Sequence, residues 1–560
     1  MNGIGSFVKN TLHSSYQRII ATICFILLVI CNQRLITVVW YQQNYFCDCV
    51  GIIMAVLVMT SYRWADFVKY RLPYIIWSAL CVIGLPVAVV IVSKTRGLIP
   101  DNIILALCVF LWGICLIHTV IDLFIEKNRN RLFIPLFAVW AVMMFLMTIA
   151  NTSYIWPGFY FFMFLIYYIT PQKQGNRSEI YLGMLDGLVI GFILNQGFSL
   201  LFRPYDQVRY LGNFSNPNHN SLYMVIWLGA IYGRILLSIA RKEKIVWRIL
   251  LFVLSGIVHA LNFMTACRTG FIAAIIVSIL FVIGYCVIRH KKMFFRMGAA
   301  ALLIFIVMTP VTYFAVRYFP LTNPYVVFYD FDNHNAHDVH RENKKDPANY
   351  VTFMQMLDSS LGRLMDLVKK NNVNEVEAAE TDNMIAGEAD GVQITEQTAE
   401  LLTDMPADGA EQPRDYIYED ENNTIAVRTT IYKWYLEHLT LRGVPNTPEY
   451  QGFQLTPGRW LQSPHNIYLF YGINFGIPVM ILFAVLIVWG NIRTLINFFK
   501  RKDVLLIVVL LLSCIVPVFG MFEEAWGSGA LSTTILYLTF REFVLKNPSE
   551  GEIITTAGKQ

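Results

Sequence analysis

A histidine and an asparagine stand side by side where a long polar segment of the chain gives way to an apolar one. His465 and Asn466 are followed by nine mostly apolar residues and then by Gly476, within the sequence HNIYLFYGINFG. An imidazole, whose ordinary pKa is about 6.5, handles protons at neutral pH, and the neighbouring amide could orient it or bind a sugar hydroxyl. Because the pair lies at the boundary between a polar and an apolar segment, it suits chemistry on a substrate with a lipid tail and a water-soluble head.

Arginines elsewhere in the chain could bind an anionic group. Arg268 lies between two long apolar runs, where a lone guanidinium is either functional or anchored to lipid headgroups. Its planar fork suits bidentate binding of phosphate oxygens, which favours the functional interpretation. Arg428 lies in a segment with helical spacing upstream of His465 and is informative only together with that histidine.

The segment RYLGNFSNPNHNSLY begins at Arg209 and leads into another apolar run. Asn216 and Asn218 offer amide donors within it, and the start of the following helix is a natural site for an anion. A capped loop without a ligand is an equally good interpretation of this segment alone. Aromatic residues near the histidine that could pack against sugar faces are Trp460, Tyr468 and Tyr471.

A histidine- and aspartate-rich segment at residues 330–340 offers a competing hypothesis of a metal site. Its three histidines at a spacing of three could bind a divalent metal if the segment were helical. No partner ligands are evident elsewhere in the sequence, so we predict a solvated loop, no metal and no cofactor. The absence of Walker A, GxGxxG, GxSxG and HExxH patterns argues against nucleotide and protease chemistry.

Composition places the chain among membrane proteins. Of its 560 residues, 56% are hydrophobic and 15% are charged, and the mean hydropathy is +0.49, whereas soluble domains carry about 25% charge. The apolar residues form long runs, which predict an all-α polytopic membrane protein. The runs number about 14, with 12 or 13 spans as alternatives, and they centre on residues 19–32, 46–62, 73–92, 102–125, 132–150, 154–170, 180–202, 221–240, 246–265, 270–288, 293–316, 467–490, 503–521 and 529–545.

Lysine and arginine are concentrated in alternate loops between these runs, which predicts that both termini are cytoplasmic. The predicted regions are an N-terminal bundle of eleven spans (1–316), one large, partly helical extracytoplasmic loop (317–465), three further spans (466–546) and a cytoplasmic tail (547–560). Within the loop, fifteen carboxylates and one cation between Glu375 and Glu421 predict a flexible acidic insertion at 371–423. Helical spacing on either side predicts helices at Thr352–Lys370 and Thr424–Leu439.

In the order and placement of these motifs, the chain resembles the superfamily of O-antigen ligases and O-antigen polymerases. The matching elements are GNFSNPN at 212–218, Arg268 in ACRTG, Arg428 in the long outer loop, and HN-x9-G from His465 to Gly476. The resemblance covers residues 180–490 and implies a fold like that of C-type glycosyltransferases. It also implies a location in the bacterial plasma (inner) membrane.

The resemblance further implies a metal-independent, inverting glycosyltransferase that uses a glycan on undecaprenyl diphosphate at the outer leaflet. Arg209, Arg268 and Arg428 would bind the diphosphate, whose charge grows as the bond to the sugar breaks. His465, oriented by Asn466, would activate the acceptor hydroxyl. The expected partners are this donor, a glycan or other acceptor, the lipid bilayer and other polysaccharide-assembly proteins, with no nucleic acid.

Two activities within the family fit the sequence equally: a polymerase joins repeat units, and a ligase transfers a finished glycan to another carrier. From a different class, a flippase or other transporter of lipid-linked glycans is the alternative. Transporters are typically built from inverted repeats and broken helices near the middle of the membrane. The sequence has no clear sign of either, and it places its best candidate residues toward one face.

Overall fold

Long apolar helices make up most of the part of the chain that the structure describes. The structure, a computed structural model, describes residues 2–30, 43–62, 64–96, 99–126, 133–150, 155–170, 176–200, 205–206, 209–212, 214, 217–289, 293–319, 352–362, 424–444, 453–456, 459–461, 464–522 and 531–544. The predicted acidic insertion at 371–423, the histidine-rich segment at 330–340 and the predicted tail at 547–560 lie outside these residues.

The helices are, in chain order, α1 (Asn2–Ile30), α2 (Gln43–Met59), α3 (Trp64–Lys69), α4 (Arg71–Arg96), α5 (Ile99–Val120), α6 (Pro135–Ala150), α7 (Ile155–Ile169), α8 (Asn176–Ser199), α9 (Pro217–Ala240), α10 (Ile245–Met264), α11 (Arg268–Arg289), α12 (Phe294–Tyr318), α13 (353–362), α14 (Thr424–Glu437), α15 (Ile467–Phe475), α16 (Ile477–Arg501), α17 (Val504–Ser513), α18 (Ile515–Phe519) and α19 (Leu531–Val544). A π-helical turn at Ile121–Ile125 continues α5. Two antiparallel hairpins pair β1 (Tyr205–Asp206) with β2 (Arg209–Tyr210), and β3 (Phe453–Thr456) with β4 (Arg459–Leu461).

The described helices are those of a polytopic, all-α membrane protein. Among them, eight are long and apolar enough to cross a membrane: α4, α5, α8, α9, α10, α11, α12 and α16. The shorter apolar segments are α1, α2, α6 and the pair α17–α18. The outer helices present apolar side chains to their surroundings, as Leu80, Val82 and Ile83 of α4 do at 60%, 73% and 72% exposure. Such a surface is expected to face lipid.

α9 is the central helix of the bundle, and α8, α10, α11 and α17 pack around it. α11 runs parallel to α9, because Gly270 packs on Ser221 and, further along, Gly284 packs on Leu236. The small glycines bring the two backbones close together. Any side chain at Gly270 would collide with the hydroxyl of Ser221.

α17 runs antiparallel to both α9 and α11. Gly229 of α9 packs on Leu511, whereas Gly233, one turn later, packs on Val508. The chain after Leu511 therefore continues through α18 toward the start of α9. We call this end of the bundle, where α9 and α11 begin and where α10 and α18 end, the loop end.

α15 and α16 form a tight hairpin, which corrects the prediction of one continuous apolar span at 467–490. The ring of Tyr471 stacks on that of Phe483, and Gly472 packs on Met480. The turn lies at Gly476, whose φ of +94° is a backbone conformation that residues with a side chain rarely adopt. At nine residues, α15 is too short to cross a membrane, which takes about 20 residues. α16 is the helix of this pair that is long enough.

The opposite end of the bundle is held by a network of buried and half-buried ion pairs. Asp186 of α8 binds Arg18 of α1 and Arg234 of α9, the latter with 2.6 Å between Nε and Oδ1. Arg234 also binds Glu243, at 2.8 Å, in the turn that precedes α10. Next to this network, α1 packs closely on α8 along a stripe of small residues: Gly183, Gly187 and Gly191. These contacts connect the N-terminal helices to the central bundle.

Candidate functional site

The turn between α10 and α11 places Arg268 at the loop end. Asn262 stabilises this turn, because its side-chain amide accepts a hydrogen bond from the Ser221 hydroxyl at 2.6 Å and donates one to the Gly270 carbonyl at 3.1 Å. Ala266 then adopts a left-handed conformation with a φ of +50°, which is uncommon for a residue with a side chain. α11 begins two residues later, so that the half-buried Arg268 occupies its first position.

Arg209 joins the same corner from β2. Its Nε donates to the carbonyl of Thr265 at 3.0 Å, and its terminal nitrogen Nη2 donates to Oδ1 of Asn218. The adjacent Tyr210 is fully buried against α8, where its hydroxyl contacts Gln196, and burial raises the pKa of this hydroxyl. The structure thus brings together Arg209, Asn218 and the turn that carries Arg268, as a corner with two guanidinium groups.

α13 covers this corner. Ser360 donates a hydrogen bond from its hydroxyl to the Phe263 carbonyl at 2.9 Å, which fixes α13 on the turn between α10 and α11. Between them is a cavity of about 10 Å³, lined by residues of the turn, by Arg268 and by Ser360. Such a cavity holds about one water molecule. The predicted helix at Thr352–Lys370 is confirmed for residues 353–362, whereas Thr352 precedes the helix and residues 363–370 lie outside the described chain.

His465 and Asn466 form the turn that begins α15. His465 has a φ of +46° and is half-buried. Asn466 caps the helix: its Oδ1 accepts from the backbone N–H groups of Tyr468 at 2.9 Å and of Leu469 at 3.0 Å. Its Nδ2 donates to the carbonyl of Met521, just after α18, at 3.0 Å. Asn466 therefore fixes the turn that presents the imidazole.

Arg428 lies on α14, which packs beside α15. Ile431 and Tyr435 of α14 are buried in an apolar cluster with Leu469 and Ile473 of α15. The hydroxyl of Tyr432, in the middle of α14, reaches the His465 carbonyl at the start of α15, whereas Leu439 packs on Gly472, further along α15. The two helices therefore run in the same direction. The predicted helix at Thr424–Leu439 is confirmed to within two residues of its end.

The arginine corner and the histidine turn lie at the same level of the bundle. Gly284 of α11 packs on Ile507 of α17. Arg268 lies sixteen residues from Gly284 toward the loop end, or about 24 Å at the helical rise of roughly 1.5 Å per residue. Met521 lies fourteen residues from Ile507 in the same direction, or about 21 Å. α18 packs against α11 and α9, and the Gly520 carbonyl accepts from the Ile467 backbone N–H at 2.7 Å. α18 therefore connects the corner and the turn, because it packs on α11 and its end is hydrogen-bonded to the start of α15.

The described structure does not assign a role to three of the residues predicted to contact glycan. Asn216 lies outside the described residues, and Trp460 is described only by its backbone, which pairs with Gln454 in the second hairpin. Tyr468 is half-buried, and its ring packs toward Phe483, with 6.1 Å between the ring centroids. The predicted roles of all three stay predictions.

Other residues that shape the site are not evident from the sequence. Thr265 contributes only its backbone oxygen to Arg209, and nothing in a residue type signals such a contact. Tyr432 is different, because it lies four residues after Arg428, and residues with this spacing share a helix face. Its hydroxyl donates to the Met521 carbonyl at 2.8 Å, beside the histidine turn.

Comparison with known proteins does not identify a family for this chain. No protein-family model, no curated protein and no solved structure matches it. The functional argument therefore depends on the geometry of the loop end and on the motifs of the sequence.

Proposed function

We propose that the protein is a membrane-embedded glycosyltransferase that transfers or polymerises glycans carried on undecaprenyl diphosphate. In this proposal the chain belongs to the O-antigen ligase and polymerase superfamily, with a bundle of 12–14 spans like that of C-type glycosyltransferases. It resides in the plasma membrane of a bacterium, with both termini in the cytoplasm. The loop end faces the outside, where lipid-linked repeat units are used to build surface polysaccharide.

One observation carries this proposal: two arginines and a histidine turn, from distant parts of the sequence, occupy the same level at one end of the bundle. Arg209 and Arg268 share the corner at the turn between α10 and α11, and Met521 holds the turn of His465 across α18. A lipid diphosphate that enters from the bilayer meets cationic groups at this level. An acceptor that approaches from the aqueous side meets the imidazole.

The reaction in this proposal is a displacement at the anomeric carbon of the donor. The acceptor hydroxyl oxygen forms a bond to that carbon while the carbon–oxygen bond to the diphosphate breaks. The bonding electron pair leaves with undecaprenyl diphosphate, whose developing charge Arg209, Arg268 and Arg428 stabilise. The hydroxyl proton passes to the imidazole of His465. Attack on the face opposite the leaving group inverts the anomeric configuration.

Deletion of the gene, followed by analysis of surface and lipid-linked glycan, tests the proposal. Single repeat units in place of polymer indicate a polymerase. Full-length polymer that stays on its lipid carrier indicates a ligase. A flippase would instead leave repeat units in the inner leaflet, inaccessible to glycosidases added outside the cell. Unchanged surface glycan and unchanged lipid-linked intermediates would contradict the proposal.

A further inference from the structure

Tyr432 lies where three separate parts of the chain meet. Its hydroxyl lies 2.8 Å from the carbonyl oxygen of Met521 and 3.3 Å from that of His465. A tyrosine hydroxyl has a single proton, so the two carbonyls share one donor, with Met521 as the closer partner. Asn466 donates to the same Met521 oxygen at 3.0 Å. One carbonyl thus joins α14, the histidine turn and the end of α18.

The carbonyl that Tyr432 contacts belongs to a residue in an uncommon backbone conformation. The φ of +46° at His465 is disfavoured for a residue with a Cβ and persists only where surrounding contacts hold it. Asn466 holds the turn from the side of α15 through its two capping bonds. The Tyr432 hydroxyl holds it from the side of α14. The direction of the imidazole depends on both.

The docking of α14 does not depend on this hydroxyl. Ile431 and Tyr435 attach the helix to α15 through buried apolar contacts, and both are at most 3% exposed. Arg428 lies one turn before Tyr432 on the same helix face. The hydroxyl therefore connects the helix that carries a candidate diphosphate ligand to the backbone that carries the candidate base.

We propose that Tyr432 is a positioning residue, which holds His465 at a fixed place relative to Arg428. This inference depends on the proposed function. The tyrosine touches neither donor nor acceptor through its hydroxyl and acts only through the histidine. The ring of Tyr432 also lines an open groove of about 500 Å³ along α14, together with Thr429, Lys433, Leu436 and Glu437. A substitution that keeps the ring therefore isolates the role of the hydroxyl.

The test is Tyr432→Phe in the purified full-length protein, reconstituted in lipid nanodiscs with lipid-linked glycan collected from the deletion strain. We expect kcat to fall about tenfold, the effect of one hydrogen bond, with a change of less than about twofold in KM. Tyr318→Phe is the matched control, because this half-exposed tyrosine lies at the end of α12, where Tyr313 of α12 packs on Phe353 of α13. The control variant keeps the kcat of the wild type.

A double variant separates positioning from a merely structural role. If Tyr432 acts through His465, Tyr432→Phe causes no further loss in a His465→Asn background, because residues that act as a unit are not additive. A structural defect would instead lower the residual rate again by about tenfold, and this result would overturn the inference. So would a wild-type kcat for Tyr432→Phe.

The failure of this inference is distinguishable from failure of the proposed function. If His465→Asn and Arg268→Lys are inactive while Tyr432→Phe has the wild-type kcat, only the positioning role is rejected. If His465→Asn and Arg268→Lys both transfer glycan at the wild-type rate, the proposed function is rejected and the positioning role with it.

Discussion

The ring of Tyr471 stacks on the ring of Phe483, with 4.0 Å between the centroids and 28° between the planes. In one continuous helix these residues would be about 18 Å apart along the axis. The contact therefore requires the chain to reverse direction between them, at Gly476. As a consequence, the start of α15 lies against Gly520, and the turn of His465 lies at the level of Arg268 instead of at the outer tip of a membrane-spanning helix.

We predict that Gly476→Ala destabilises the hairpin of α15 and α16. A Cβ at this position would lie 2.2 Å from the carbonyl oxygen of Leu441, and the φ of +94° disfavours any side chain. Strain of this kind costs about 3 kcal/mol. Thermal unfolding of the purified protein in detergent measures the loss as a lower midpoint.

The matched control for this substitution is Gly298→Ala in α12. A Cβ there meets nothing within 4 Å, and alanine favours a helix over glycine by up to about 1 kcal/mol. We expect the control to unfold at the same temperature as the wild type or slightly above it. Equal midpoints for Gly476→Ala and Gly298→Ala would contradict the assigned turn.

The helices α13 and α14 could be predicted from local spacing, whereas the reversal at Gly476 could not. The pattern at Thr424–Leu439 predicts α14 almost to its end at Glu437, because amphipathic periodicity is a local property. Both arms of the hairpin are apolar, so hydropathy does not distinguish one long helix from two that fold back on each other. The sequence therefore predicts that these segments are helical, but it does not predict where the chain reverses direction.

The sequence identifies the candidate residues by their types, but it indicates only some of the contacts that they make. The sequence singles out Arg209, Arg268, Arg428 and His465, but the contact of Arg209 with the Thr265 carbonyl joins two distant loops. A backbone oxygen carries no signature in the residue that supplies it. The connection through Tyr432 was within reach, because its spacing from Arg428 places both on one face of α14.

We predict that Arg268→Lys lowers glycan transfer without a loss of protein in the membrane. Lysine keeps the charge but presents a compact ammonium in place of the planar fork that grips two phosphate oxygens. The loss is expected to be at least about tenfold. Measurement of polymer in the complemented deletion strain, normalised to the amount of protein in membranes, checks this outcome.

Arg289→Lys is the control for charge on the same helix. This arginine ends α11 at the opposite end of the bundle and is exposed, so its replacement should leave transfer unchanged. If Arg268→Lys gives as much polymer as Arg289→Lys, Arg268 does not bind the diphosphate through a bidentate contact.

We predict that Asp186→Asn weakens the fold while it leaves the loop end intact. The substitution removes the acidic partner of both Arg18 and Arg234, and its own side chain is only 19% exposed. Loss of one member of a buried ion-pair network costs about 3 kcal/mol. The unfolding midpoint in detergent should fall, and the protein that stays folded should keep its specific activity.

An exposed ion pair supplies the comparison. Glu126→Gln breaks the surface pair with Lys69, whose side chains are 44% and 60% exposed, and water and salt screen such pairs. We expect no measurable change in the unfolding midpoint. A midpoint for Asp186→Asn equal to that of Glu126→Gln would show that the network at the opposite end does not stabilise the bundle.

The most direct test of the central claim is glycan transfer by purified His465→Asn in nanodiscs with undecaprenyl-diphosphate-linked repeat units. Asparagine tolerates the left-handed backbone at this position better than most residues do, so the turn at a φ of +46° is kept while the imidazole is lost. Mass spectrometry follows both the released undecaprenyl diphosphate and the lengthened or transferred glycan. We predict a loss of at least about 100-fold relative to the wild type. A wild-type rate of release and transfer by the variant would contradict the account.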